Sequence, residues 1–145
     1  MIEYEERQKL FEEARAHLNE GRANAAVSLL EPYVAEHKND AEGRSLLGTA
    51  YLRLGMFFNA EEQFQESLAI NSDQYEIKTI VCRMQMQLKR WEDALEWATQ
   101  LIKEDPNDLV ARTMYESCME NVDRPAVGWE RDRGRTDVEV RFTNE

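Results

Sequence analysis

Apolar residues recur along this chain with a helical period. Leu47, Tyr51 and Leu54 form one stripe, and Phe57, Phe64 and Leu68 form a second a few residues later. Between them stands Gly55, at a place where a helix commonly ends with a residue of positive φ. The pattern comes again on either side and predicts three helix pairs. These are about 4–20 with 23–36, 41–54 with 57–70, and 75–88 with 91–104. The turn Asp105-Pro106-Asn107 then leads into a seventh helix, 108–121, with Asp108 as its N-cap. Leu109, Tyr115 and Met119 give this helix a face to pack. Pro32 removes one backbone hydrogen bond from the second helix and is expected to bend it.

The pairs repeat in strict register. A shift of 34 residues aligns His17 with Tyr51 and Gln85, Gly21 with Gly55 and Lys89, and Ala26 with Ala60 and Ala94. Leu30, Phe64 and Ala98 share a column, as do Ala14, Gly48 and Cys82. The last column holds small residues only. A glycine inside a helix costs about 1 kcal/mol against alanine, so Gly48 implies a close approach of the paired helix. Ala60 is the small residue expected to face it.

At these residues the chain resembles the tetratricopeptide-repeat family. That pattern has a Leu-Gly pair, a Tyr three further on, an Ala, an aromatic four later, and a Pro. The middle copy matches at Leu47, Gly48, Tyr51, Ala60 and Phe64, lacks the opening Trp, and has Ser72 in place of the Pro. The third copy keeps Ala94 and Pro106; the first keeps Ala26. The resemblance covers Arg7 to Asn121. It implies an all-α fold, a right-handed α-α superhelix of three helix pairs plus a capping helix. The repeat domain would be 1–121, with repeats about 7–40, 41–74 and 75–108 and the cap at 108–121.

In this family the first helices of successive pairs line a concave groove that binds peptides or protein segments. The residues opposite the packed stripe of each such helix give the implied lining. They are Phe11, Arg15 and Asn19; Ser45, Thr49 and Arg53; Thr79, Arg83 and Gln87. Two roles are open to the three arginines: holding carbonyls or an acidic segment of a partner, or pairing with edge carboxylates such as Glu42 and Glu76. A subset of the family clamps the acidic C-terminal tails of heat-shock chaperones with Lys, Asn and Arg. The corresponding positions here are Phe11, Arg15, Leu46, Glu76 and Ile80, of which only Arg15 is basic. The resemblance therefore implies no binding of such tails.

Charge narrows the partner class. The net charge of −11 argues against nucleic acid, where Lys and Arg must neutralise phosphates, and against anionic membrane surfaces. No apolar run is long enough to span a bilayer and the acidic N-terminus lacks a signal core, so the expected location is cytoplasmic. Cys82 and Cys118 read as reduced, buried thiols. His17 and His37 stand apart, so no metal site and no cofactor are expected. There is no nucleophile–base pair and no phosphate loop, and carboxylate pairs such as Glu61–Glu62 read as a solvated face; no enzyme is expected. The leading function is a non-catalytic adaptor that binds a protein or peptide segment. The alternatives are a homo-oligomeric scaffold and a secretion-type chaperone.

The tail, 122–145, changes character at Arg124-Pro125. Val138, Val140 and Phe142 alternate with Glu139 and Arg141, and Trp129 lies on a shorter matching run before Gly134. This suits a β-hairpin acting as an interaction element, with homodimerisation through Trp129, Val138, Val140 and Phe142.

Overall fold

The computed structural model describes residues 4–122. Among them are seven helices and no strand: α1 (Tyr4–Asn19), α2 (Ala23–Glu36), α3 (Ala41–Arg53), α4 (Phe57–Ile70), α5 (Tyr75–Gln87), α6 (Trp91–Glu104) and α7 (Leu109–Val122). Each lies within about two residues of its expected span, and α2 runs through Pro32 without interruption. No helix among the described residues is long and apolar enough to cross a membrane. The expected hairpin, with Trp129, Val138, Val140 and Phe142, lies outside the described residues. The described residues divide into two compact units, the first ending at Val81 and the second beginning at Cys82, with the boundary inside α5.

The repeat is visible in the turns as well as in the helices. Gly21, Gly55 and Lys89 all take positive φ, at 80°, 77° and 62°. In each turn the next N–H reaches back to close the helix end: Arg22 to the His17 carbonyl at 2.7 Å, Met56 to Tyr51 at 2.9 Å, and Arg90 to Gln85 at 2.8 Å. A second bond runs from each positive-φ residue to a carbonyl three earlier. This is one C-terminal capping geometry used three times. The third copy builds it without glycine.

In the first unit α1 packs on α2 and α3, and α3 packs on α2 and α4. Ala14, Ala26 and Ala60 are fully buried, and Gly48 is buried with them. A Cβ added at Gly48 would stand 2.8 Å from two carbons of the Phe64 ring. The glycine therefore makes room for Phe64 itself, one turn beyond Ala60. Tyr51 donates its hydroxyl hydrogen bond to the Glu31 carboxylate. Burial first, and then that carboxylate, push the Tyr51 phenol up to about 12.

In the second unit α6 packs on α7, and Ala94, Ala98, Leu101, Ala111 and Met114 are buried. Cys82 and Cys118 are free and buried as expected. The Cys82 thiol donates to the Ala94 carbonyl at 3.3 Å. Burial, and then the neighbouring Cys118 thiol, push Cys82 up to about 12, so it carries no thiolate near neutral pH. Glu61 departs from its expected solvated place: only 8% exposed, it accepts from the Gln65 amide at 3.3 Å.

Candidate partner-binding cleft

The first unit carries a cleft of about 500 Å³ between α1, α3 and the start of α5. Its wall at α3 is anchored by Asp40, the N-cap, whose carboxylate accepts from the Gly43 N–H at 3.1 Å. Arg7 of α1 grips the same carboxylate with two bonds, at 2.8 and 3.1 Å, and the Tyr33 hydroxyl of α2 donates to it as well. Burial pushes the Asp40 carboxyl up, but the bonds from Arg7, Tyr33 and the Gly43 N–H outweigh it and hold Asp40 at about 2. Arg7 also lies over the Phe11 ring, 4.5 Å from its centroid, and Phe11 meets Tyr33 edge-on at 5.3 Å. Three helices thus meet at one charged and aromatic node.

The cleft floor is tied by a second network. The Ser45 hydroxyl donates to the Gln74 side-chain oxygen at 2.9 Å and shares a 2.6 Å bond with Ser67. The Gln74 amide donates to the backbone carbonyls of Ser67 at 3.1 Å and Asn71 at 2.8 Å. Thr49 donates to the Ser45 carbonyl at 2.9 Å. The polar groups of the floor therefore hold one another. Half-buried Leu46 and Ile77 line the same cleft, with Arg15, Glu42 and Glu76 around them. Arg15 is ion-paired with Glu42, which also accepts from Arg7 at 3.2 Å.

Seventy solved chains match the fold of this chain. The first repeat domain of Spaghetti (RPAP3), solved bound to the HSP90 peptide SRMEEVD, matches with a TM-score of 0.75 at 15% identity; the match covers 85% of this chain and 98% of that one. The Arabidopsis OM64 repeat domain matches with a TM-score of 0.70 at 16% identity, covering 78% and 93%. The chain has the tetratricopeptide-repeat (TPR) fold. MamA from Desulfovibrio magneticus RS-1, solved from residue 41 to its end, matches with a TM-score of 0.73 at 18% identity over 80% of this chain; the match spans 66% of that solved chain, just under two thirds. No protein-family model and no curated protein matches the sequence.

With the TPR fold in hand, the expected groove residues sort into three kinds. Arg15, Asn19 and Arg53 are exposed in the first unit; Arg83 and Gln87 are exposed in the second. Thr49 and Thr79 are half-buried, Thr79 donating to the Tyr75 carbonyl at 3.1 Å. One residue is corrected. Phe11 is 0% exposed, packed against Tyr33 and beside Gly43, and belongs to the core. Ser45 lines the cleft floor, but at 8% exposed it is largely covered and held in the Ser67–Gln74 network. They occupy one column of the repeat. α1 is covered by its partner α2 and by the next first helix, α3, so its buried arc is wider than one apolar stripe suggests. Arg53 donates to the Leu18 carbonyl at 2.8 Å, closing the end of α1.

Gln74 and Ile77 were not among the expected groove residues, and Leu46 was expected only as a clamp-equivalent position. Gln74 had a readable signal: it stands one repeat after the N-cap Asp40 and one before Asp108. Its neighbours Tyr75–Ile77 enter the cleft because α5 begins there. Among the described residues no group of His, Cys, Asp and Glu is placed to hold a metal.

Proposed function

We propose that this TPR chain is a protein-interaction module, an adaptor that captures a partner segment in the cleft of α1, α3 and α5 without catalysis of its own. The observation that carries the reading is the cleft's composition. Leu46 and Ile77 offer half-buried apolar surface over a floor whose polar side chains already satisfy one another. Such a floor needs no rearrangement to accept a ligand, which lowers the cost of binding. The peptide held by the RPAP3 domain lends support by analogy of fold.

The test is affinity capture of the full chain from its native host, comparing wild type with Leu46→Arg in the cleft and Phe58→Ser on the 79% exposed outer side of α4. Circular dichroism checks that both variants fold. The reading expects the partner lost from Leu46→Arg and kept by Phe58→Ser. A partner retained by Leu46→Arg overturns it.

A further inference from the structure

Resting on that reading, we infer that the cleft selects a cationic partner segment, a Lys or Arg set beside an apolar side chain, and rejects carboxylate-ended tails. The lining carries one base, Arg15, and two acids, Glu42 and Glu76. The charge of Arg15 is offset by its ion pair with Glu42. Glu42 is in turn shared with Arg7. Glu76 is exposed and makes no hydrogen bond or ion pair among the described residues. It is the charge left for a ligand to meet.

Helix ends reinforce this. The N-termini of α3 and α5 both border the cleft, and such ends ordinarily favour anions. Here the chain's own carboxylates occupy them. Asp40 caps α3, and Glu42 and Glu76 stand in the first turns of α3 and α5. The donors a carboxylate would seek are also committed: Ser45 to Gln74, Thr49 to the Ser45 carbonyl, the Gln74 amide to Ser67 and Asn71. An incoming carboxylate meets two lining acids, Glu42 and Glu76, and few available donors. An incoming ammonium or guanidinium meets Glu76, while its apolar neighbour covers Leu46 and Ile77. The net charge of −11 draws cations toward the chain at longer range.

Fluorescence anisotropy on the full chain at low salt tests this with three labelled probes: acetyl-GKLKLG-amide, acetyl-GELELG-amide and SRMEEVD. The lysine probe is expected to bind at least about tenfold tighter than either acidic one, with affinity falling as salt rises. Glu76→Gln is expected to weaken the lysine probe about fivefold, the upper range for an exposed pair. Leu46→Arg is expected to abolish binding. No binding of the lysine probe, or equal or tighter binding of SRMEEVD, overturns the inference. Loss in Leu46→Arg with no change in Glu76→Gln overturns the charge assignment and leaves the cleft reading standing. Binding unchanged in both variants removes the cleft as the site.

Discussion

Gly48 has no room for a side chain, because the Phe64 ring already fills the space where a Cβ would stand. Gly48→Ala gains about 1 kcal/mol in helix propensity and loses more, about 1–3 kcal/mol, by displacing a fully buried ring. Gly48→Leu is expected to cost several kcal/mol, and an unchanged urea midpoint for the leucine variant would refute the packing. Lys89 makes the opposite case. It holds φ of 62°, where a side chain is strained and glycine is not. Lys89→Gly is therefore expected to stabilise the chain by about 1 kcal/mol, read as a raised melting temperature. Both residues were legible from the repeat, since Gly48 shares a column with Ala14 and Cys82, and Lys89 with two glycines. Phe11 was not. A stripe of apolar residues marks where the buried arc is centred, and its width depends on neighbours supplied by other repeats.

At the scale of elements, the node around Asp40 joins α1, α2 and the start of α3. Its carboxyl sits at about 2 in the folded chain against an ordinary 3.8. A depressed value means that the folded state favours the ionised form. The stability it contributes, about 2 kcal/mol, is present above the ordinary value and lost as pH falls toward 2. Asp40→Asn is expected to flatten the fall in stability between about pH 5 and pH 2, measured by urea unfolding across that range. An unaltered acid limb would show that Arg7 and Tyr33 do not hold this carboxylate. Helix positions were readable because apolar period, turn residues and caps agreed, and Asp108 caps α7 through the Val110 N–H at 3.0 Å as expected. The node was not readable, because Arg7 lies 33 residues from Asp40 and only the fold brings them together.

For the whole molecule, the TPR architecture was legible and the use of its surface only partly so. Of the expected groove residues, Arg15 and Thr49 line the cleft of the first unit. The arginines were harder to read. Arg15 pairs with Glu42, one of the edge carboxylates expected for it, whereas Arg53 is engaged by the Leu18 carbonyl, a partner that sequence spacing does not reveal. The tail is a separate question of assembly. If it joins two copies, light scattering will show a dimer for the full chain and a monomer for a chain ending at Val122; monomers of equal stability would exclude it. The claim on which everything else depends is that a partner segment lies in the cleft. The most direct measurement places a photo-reactive benzoylphenylalanine at Ile77, inside the cleft, or at Phe58, on the outer side of α4, in the native host. Irradiation followed by mass spectrometry is predicted to give an adduct with another protein at position 77 and none at 58, whereas adducts at 58 and none at 77 would contradict the account.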